Sequence, residues 1–254
     1  MMKNELENMI GTTESEQSLR ENLAALYHVI AHLGWDELIY THSSVRVPGT
    51  ETFLINPYGL QFDEVTAENL IKVDVEGNVV GGNAVGANYA GFVIHSAIHM
   101  ARDDIHCIIH THTTAGMAVS CQEDGLLPLS MYAHYFYDRL GYHEFEGPSM
   151  GLDERTRIVA SLGKHNALMM RNHGLIAGGR TIPEAFAIMF RLQRACEVQL
   201  AAQSGNAKLH MPSAEVCAES ARLTDEFLEH AGAAVGVQEF DAMVRLVKKG
   251  GILT

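Results

Sequence analysis

The order of strands and helices that the sequence predicts constrains the fold of this chain more than any other feature. Short runs of alternating or continuous apolar residues predict strands, and these runs lie at 38–41, 52–55, 71–75, 105–109 and 166–170. Apolar residues spaced by three and four predict helices, which lie at 16–33, 90–102, 182–204, 213–231 and 238–248. Strands that come first and then alternate with helices are typical of one α/β domain with a mixed sheet.

The predicted domain covers nearly the whole chain. We find no repeat, low-complexity tract or linker rich in Pro, Gly and Ser that would divide the 254 residues. Residues 1–14 are polar and acidic, and we interpret them as a leader that precedes the fold. Residues 15–254 are then predicted to form a single domain that ends in helices, a length that buries a sizeable core without disulfides.

The charge balance excludes two classes of partner. Lys and Arg number 18 against 31 Asp and Glu, so the formal net charge is −13. A protein that binds phosphates, in nucleic acid or at an anionic membrane surface, needs the opposite balance. We therefore expect no nucleic-acid partner and no membrane partner. No apolar run reaches the length of a membrane span, and the first residues lack the apolar core of a signal peptide.

The four cysteines favour a cytoplasmic protein. None forms a short pairing motif with another, and each stands in an apolar or helical context; they are Cys107, Cys121, Cys196 and Cys217. Reduced, buried thiols are typical of proteins from the cytoplasm.

Histidine is the most informative residue type, because it is the commonest metal ligand and the chain contains 14 of them. His110 and His112 follow the predicted strand 105–109, and side chains two positions apart on a strand project to the same side. Both imidazoles can therefore reach one ion, although two hydrogen-bonded histidines at a strand edge would have the same spacing. A catalytic metal needs at least three protein ligands. His173 follows the strand 166–170 in the same way and is the candidate third ligand.

Several separated motifs resemble the class II aldolase/adducin family. In chain order they are Ser44-x-Arg46, Phe53-Leu54-Ile55-Asn56-Pro57-x-Gly59, Ile108-Ile109-His110-Thr111-His112, Gly125-Leu126-Leu127-Pro128 and Arg171-Asn172-His173-Gly174-Leu175. The resemblance extends over roughly residues 18–205, which is most of the chain. With His95-Ser96-Ala97-Ile98 included, the pattern is closer to the adducin-like branch than to the sugar-phosphate aldolases.

This resemblance implies a three-layer α/β/α fold with a mixed central sheet, assembled as a tetramer with its sites at subunit boundaries. It also implies a divalent metal, zinc first with manganese or iron as alternatives. The positions that match the family's three ligands are His110, His112 and His173. In the family's aldolases the metal stabilises an enediolate formed from a ketose phosphate, which is Lewis-acid chemistry.

The sequence departs from the family's aldolases at residues that handle protons and phosphate. The family's catalytic glutamate should precede the first ligand by 19 residues, and an ungapped count back from His110 reaches Gly91. Tyr89 and Ala90 stand where the aldolases have paired serines for phosphate, and Thr41-His42 stands in place of their Gly-Asn. A simple sugar-phosphate aldolase is therefore disfavoured, although the metal ligands are kept.

Three residues are candidates for the missing acid or base. His95 shares a helix face with His99, and it either packs inward or points at the metal cavity. Tyr132 and His134 belong to an aromatic cluster, which is more typical of a core or a subunit interface. The resemblance nevertheless implies that a tyrosine or histidine from this region reaches the active site.

Arg46, Asn56 and Gly59 are the candidate substrate-binding residues, because they belong to the matching motifs of the N-terminal half. The guanidinium of Arg46 can bind a substrate carboxylate through two parallel hydrogen bonds, or it can pair with an acid at the surface.

Taken together, the residues and the resemblance predict a metal-dependent lyase that cleaves a carbon–carbon bond in a small hydroxy- or oxo-carbonyl substrate. The reaction is a retro-aldol cleavage or a decarboxylation, and the metal stabilises an enolate. Two alternatives are an Fe(II) oxygenase built on the same three histidines and a non-catalytic binding or scaffold module like the adducin head. The expected partners are a small-molecule substrate and further copies of the chain in a homotetramer.

Overall fold

The computed structural model describes residues 14–82, 86, 88–205 and 207–251. Within these ranges eight strands form one sheet; in chain order they are β1 (His42–Arg46), β2 (Thr52–Ile55), β3 (Ile71–Asp74), β4 (Val79–Gly81), β5 (Cys107–Thr111), β6 (Leu140–His143), β7 (Ala167–Met170) and β8 (Gly174–Gly179). The α-helices are α1 (Glu16–His32), α2 (Tyr89–Ala101), α3 (Thr114–Ser120), α4 (Met131–His134), α5 (Glu154–Leu162), α6 (Ile182–Gln203), α7 (Ala214–Ala231) and α8 (Val237–Lys249).

The strand order across the sheet is β4-β3-β2-β1-β5-β8-β7-β6. β6 and β7 run parallel, whereas the other neighbouring strands pair antiparallel. The sheet is therefore mixed, as the sequence predicts. β1 and β5 lie at its centre, and β5 and its other neighbour β8 are buried along their whole length.

Helices cover both faces of the sheet. α1, α6 and α8 share one apolar core with the sheet, and this core includes Leu23, Ile109 and Phe186. α2 and α5 pack on the opposite face, where Ile98 and Ile158 belong to a second apolar cluster. Two helical layers that enclose a sheet give the three-layer α/β/α architecture, so the predicted fold class is confirmed.

The sequence of α1 explains both its position and its ends. Ser15 caps the helix by accepting a hydrogen bond from the Ser18 backbone N–H. Leu19, Leu23 and Leu26 recur at helical spacing and are buried, so one face of the helix packs on the core.

α6 is the longest helix in the described part of the chain, and it packs across β8. Thr181 caps it by accepting a hydrogen bond from the Glu184 backbone N–H. Pro183 lies in its first turn, where a missing N–H leaves no helical hydrogen bond unmade. Within the described residues, no helix is both long and apolar enough to cross a membrane.

The strand predicted at 38–41 is wrong. The chain turns there, because the Tyr40 backbone N–H donates to the Glu37 carbonyl and Leu38 adopts a φ of 50°. Leu38 is 66% exposed, so this apolar residue does not belong to the core. β1 begins only at His42, and the turn before it brings Glu37 to the end of β5, where it contacts His112.

In the region of β1 and β5, one face of the sheet is apolar and the other carries polar side chains. Their register pairs His42 with His110 and Ser44 with Ile108. Side chains alternate between the two faces along a strand. Val45 therefore joins the core beneath α1 and α6, whereas His42, Ser44 and His110 face the α2 side.

Residues 1–13, nearly all of the predicted leader, lie outside the described residues. The division into a leader and a single domain stays a prediction. The helices predicted at the end of the chain are present as α7 and α8.

Candidate metal centre

Three histidines from two parts of the sheet converge on one point. His110 belongs to the end of β5, His112 follows that strand directly, and His173 lies in the turn between β7 and β8. One ring nitrogen from each lies within 4.8 Å of the other two. The structure therefore brings together the three residues that the sequence suggests as metal ligands.

The turn that carries His173 is shaped for a close approach to β5. Asn172 adopts a left-handed conformation with a φ of 55°, which Asn tolerates better than most residues. A Cβ atom at Gly174 would lie 2.3 Å from the Thr111 carbonyl oxygen. Only glycine fits there, and its small size lets the turn place His173 beside the end of β5.

The hydrogen bonds of His110 and His112 determine which nitrogen carries the proton. His110 Nδ1 lies 3.0 Å from the Leu175 carbonyl oxygen, and His112 Nδ1 lies 2.7 Å from Glu37 Oε2. Both oxygens are acceptors, so both Nδ1 atoms donate. The two Nε2 atoms are then lone-pair acceptors, and they face each other at 2.8 Å.

Two lone pairs at this distance repel each other unless a positive charge lies between them. A proton is disfavoured, because burial lowers the pKa of His110 well below its usual range and the charges of His112 and His173 lower it further. His173 adds a buried Nδ1 without a hydrogen-bond partner among the described residues. Three neutral imidazoles with lone pairs available are a donor set that suits a divalent metal such as zinc.

Glu37 is a site residue that the sequence reasoning missed. Its carboxylate holds the Nδ1–H of His112, an arrangement that fixes the ring and raises its basicity as a ligand. Glu37 lies in the turn that was predicted to lead into a strand. The pair of acidic residues at 36–37, directly after the first helix, was the feature of the sequence that could have indicated a carboxylate near the metal ligands.

We expect Glu37→Gln to weaken zinc binding by about 10–100-fold, because the amide orients His112 without the carboxylate's charge. Competition with a chromogenic chelator measures the zinc affinity. Glu51→Gln, an exposed position in the turn between β1 and β2, is the matched control. An affinity within about threefold of the wild type would contradict the role assigned to Glu37.

A buried polar chain extends from the three-histidine cluster along the α2 side of the sheet. The ring centroid of His42 lies 5.0 Å from that of His110. His42 Nδ1 lies 2.8 Å from His95 Nε2, His95 Nδ1 contacts Ser44 Oγ, and Ser44 Oγ lies 2.8 Å from His99 Nε2. His95, predicted from the sequence, is thus connected to the cluster through His42, which was not predicted.

Gly91 and His42 occupy neighbouring space. A Cβ atom at Gly91 would lie 2.6 Å from His42 Cδ2 and 2.9 Å from its Nε2. A side chain at position 91 therefore requires the His42 ring to move. The His42 imidazole thus occupies the space that the Cβ atom of a glutamate at position 91 would need.

We expect the metal-free protein to lose stability as the pH falls below about 6.5, because His99 stays neutral in the fold. Burial, together with the nearby positive charge of Arg46, lowers the pKa of His99 to about 3. Between the unfolded pKa of about 6.5 and the folded pKa of about 3, the His99 side chain binds a proton in the unfolded chain but not in the folded one. The contribution of His99 to the free energy of unfolding then decreases by about 1.4 kcal/mol for each pH unit of acidification. This contribution is present in full above the unfolded pKa.

Urea unfolding across this pH range measures that slope. His99→Gln removes the titrating group, so its slope is expected to be smaller by the same amount. Equal slopes in the two proteins would contradict the assignment.

Arg46 lies at the other end of the polar chain from the metal ligands. It stands four residues beyond His42 on β1, which is about 13 Å along the strand. Its guanidinium donates to the His99 backbone carbonyl. In this position it supports α2, and a contact with substrate stays a prediction.

Asn56 and Gly59 follow β2. The Asn56 amide oxygen accepts a hydrogen bond of 2.8 Å from the Tyr27 hydroxyl, and the Asn56 side chain is buried. Gly59 has a φ of 100° in a turn with open space around it. Asn56 thus has a structural partner, and substrate binding by either residue stays a prediction.

Tyr132 and His134 lie in α4, and the contacts of this helix are with α6 and α7. The Tyr132 ring packs near Phe190, and His134 Nε2–H donates a hydrogen bond of 3.1 Å to the Pro128 carbonyl. This layer covers the sheet face opposite the one that His110 occupies. The structure of one chain therefore does not bring Tyr132 or His134 to the histidine cluster, and their catalytic role stays a prediction.

Comparison with known proteins places this site in a family. The family model described as "Class II Aldolase and Adducin N-terminal domain" matches residues 21–200. Alpha-adducin of Mus musculus is 39% identical over 96% of this chain, which spans 35% of the adducin.

Two solved structures are similar over nearly the whole chain. An aldolase II superfamily protein from Pseudomonas syringae is 44% identical, with a TM-score of 0.87 over 97% of this chain and 98% of that one. L-fuculose 1-phosphate aldolase from Glaciozyma antarctica is 31% identical, with a TM-score of 0.80 over 92% of this chain and 91% of that one. The motifs, the fold and these similarities agree, and the chain belongs to the class II aldolase/adducin family.

Proposed function

We propose that this protein is a metal-dependent lyase that cleaves a carbon–carbon bond in a small hydroxy- or oxo-carbonyl substrate, with zinc as its metal. One observation carries the proposal: the Nε2 lone pairs of His110 and His112 face each other at 2.8 Å and need a cation between them. The similarity to a structure titled L-fuculose 1-phosphate aldolase supports the same class of reaction.

His110, His112 and His173 would hold the ion, which when bound supplies Lewis-acid stabilisation of negative charge on substrate oxygens. The Leu175 carbonyl and the Glu37 carboxylate keep the ligand rings oriented through their Nδ1–H groups.

Between the two possible cleavages, the residues beside the cluster favour decarboxylation. A retro-aldol cleavage starts when a base removes a proton from a substrate hydroxyl. The family resemblance implies a glutamate for that step, but the chain has Gly91 there, and His42 fills the adjoining space. Loss of carbon dioxide needs stabilisation of the resulting negative charge and no base to start it. We therefore rank decarboxylation of a small oxo acid first and retro-aldol cleavage second.

The test supplies purified protein, loaded with zinc, manganese or iron(II), with a panel of small oxo acids and aldols. Metal-dependent release of carbon dioxide supports decarboxylation, and release of an aldehyde supports retro-aldol cleavage. His173→Ala is the inactive control. Oxygen uptake that depends on iron would replace the proposal by an oxygenase, and absence of turnover with every metal would contradict it.

A non-catalytic binding module is the second candidate, because similarity to alpha-adducin extends over 96% of this chain. Such a module would hold metal loosely or not at all. Elemental analysis of the purified protein separates it from the lyase.

We further propose that the protein is cytoplasmic, where its unpaired cysteines would stay reduced. We also propose that it assembles as a homotetramer. The support for assembly is an apolar groove between α4 and α7 whose lining includes exposed Met131, Leu223 and Phe227. Large exposed apolar side chains in one area are typical of a protein interface. Light scattering after size-exclusion chromatography measures the mass, and a mass of one 27.8 kDa chain would contradict the assembly.

A further inference from the structure

The turn that carries His173 has only long hydrogen bonds within its own backbone. Residues 171–173 join the end of β7 to the start of β8. The Asn172 backbone N–H lies 3.4 Å from the Ser120 carbonyl oxygen, and the His173 N–H lies 3.2 Å from that of Met170. Both distances are at or beyond the usual upper limit for such bonds. The backbone of the turn alone therefore holds the third candidate ligand only weakly.

Arg171, two residues before that ligand, connects the turn to the segment that follows α3. Its guanidinium Nη1 donates to the Gln122 carbonyl at 2.6 Å, and Nη2 donates to the Glu123 carbonyl at 3.2 Å. Its backbone N–H donates to the His143 carbonyl at the end of β6. The planar fork of a guanidinium suits two successive carbonyl oxygens, whereas the ammonium of a lysine is a single point of charge.

The guanidinium also contacts an aromatic ring. Its central carbon lies 4.5 Å from the centroid of Tyr142, which is a cation–π contact. The Tyr142 hydroxyl accepts a hydrogen bond of 3.1 Å from the Leu126 backbone N–H. Tyr142 therefore binds Arg171 through its ring and the segment after α3 through its hydroxyl.

The segment that accepts the hydrogen bonds of Arg171 is itself fixed to α6. Gln199 donates to the Gly125 carbonyl at 2.8 Å, and its amide oxygen accepts from the Leu127 backbone N–H at 2.7 Å. Its amide nitrogen also donates to the side-chain oxygen of Gln122 at 2.7 Å. Gln199 is fully buried, and α6 packs across β8. The two carbonyls that Arg171 contacts therefore have fixed positions.

The charge of Arg171 is not used in an ion pair. Within the ranges that the structure describes, its side chain binds main-chain oxygens and the Tyr142 ring and forms no salt bridge. Pairing with a surface acid is thus not the reason for an arginine at this position. Two carbonyls and a ring fix both the place and the orientation of the side chain, and this restricts the movement of the turn that follows it.

We propose that Arg171 is a positioning residue of the metal centre, which fixes the turn before β8 so that His173 stays beside His110 and His112 before a metal binds. The inference rests on the proposed function for the presence of that metal. Arg171 acts through the backbone of the turn, in the way that residues behind a metal ligand orient it. Lysine cannot replace it, because an ammonium does not reproduce the fork.

The first experiment measures how firmly the turn is held in metal-free protein. Hydrogen exchange read by mass spectrometry follows peptides that cover residues 171–176 and 122–127. In Arg171→Met both peptides are expected to exchange about tenfold faster or more, and Arg171→Lys should behave in nearly the same way. Peptides of β1 should keep the wild-type rate, which excludes global unfolding as the cause. Rates within about threefold of the wild type in Arg171→Met would overturn the proposal.

The second experiment measures the metal centre itself. Competition with a chromogenic chelator gives the zinc affinity, and the visible absorption of protein loaded with cobalt(II) reports the geometry of the ligands. Arg171→Met is expected to weaken zinc binding by about 10–100-fold and to change the cobalt bands, because His173 is no longer held beside the other two ligands. A variant with the affinity and the cobalt spectrum of the wild type would overturn the proposal.

Arg102→Met is the matched control. Arg102 also donates to two main-chain carbonyls, those of Gly163 and His165, at 2.8 and 3.0 Å. These residues precede β7, whereas the His173 turn follows that strand. Urea unfolding is expected to show a loss of stability in both variants, but the zinc affinity of Arg102→Met should stay within about threefold of the wild type. An equal loss of affinity in both variants would show that general destabilisation is the cause, and it would overturn the proposal.

A wild type that binds no zinc would contradict the proposed function instead. The exchange rates, which are measured without metal, would then still decide whether Arg171 holds the turn.

Discussion

Replacing His110 by alanine is expected to remove the metal from the purified protein. The wild type should contain about one divalent ion per chain, and His110→Ala should contain at least tenfold less. The reason is that the substitution removes one of the three nitrogens that lie within 4.8 Å of one another. Elemental analysis of protein purified without added metal measures the content.

His210→Ala is the control for this experiment, because His210 is exposed and lies outside the cluster. Its metal content should equal that of the wild type. Circular dichroism confirms that each variant is folded. A His110→Ala protein that keeps its metal would contradict the three-histidine site. A wild type that takes up no metal, even on titration, would favour the non-catalytic binding module.

Introducing a glutamate at position 91 is expected to destabilise the protein, and a second change at position 42 should reverse much of the loss. Gly91→Glu places its Cβ against the His42 ring, at 2.6 Å from Cδ2. Overpacking of this kind costs about 1–3 kcal/mol of unfolding free energy. His42→Asn removes the ring, so the double variant should recover most of that energy. Urea unfolding of the two single variants and the double variant gives the coupling energy.

Gly86→Glu provides the matched control, since a Cβ atom at Gly86 meets nothing within 4 Å. It makes the same change of charge and size nearby without a clash. If Gly91→Glu were as stable as Gly86→Glu, or if His42→Asn gave no recovery, the two positions would not compete for space. A positive result would explain why glycine at position 91 and histidine at position 42 occur together in this chain.

Local patterns were sufficient to predict the five longest helices of the described residues, whereas β4, β6 and β8 were not predicted. The spacing of Leu19, Leu23 and Leu26 predicts α1, and the helices near the C-terminus follow from the same rule. The metal ligands could also be predicted from the sequence, because each follows a short predicted apolar strand and the motifs around them resemble one family. Two strand ends on one sheet edge then bring the three histidines together.

The remaining site residues depend on contacts between distant parts of the chain. Glu37 reaches His112 only because the segment after α1 turns, whereas its apolar residues suggested a strand. His42 reaches the site through the register of β1 against β5, which no local pattern encodes. The alternation of His42, Ser44 and Arg46 would have shown a polar strand face if β1 had been placed correctly.

The pairing of His42 with His110 across β1 and β5 limits how the length of this chain can change. Insertion or deletion of a single residue within β1 would turn every following side chain to the opposite face of the sheet. Ser44 and Arg46 would then enter the apolar core, and Val45 would replace them beneath α2. Length changes are therefore tolerable in the loops that flank β1 but not inside it, and evolution of new specificity in this region must proceed by substitution.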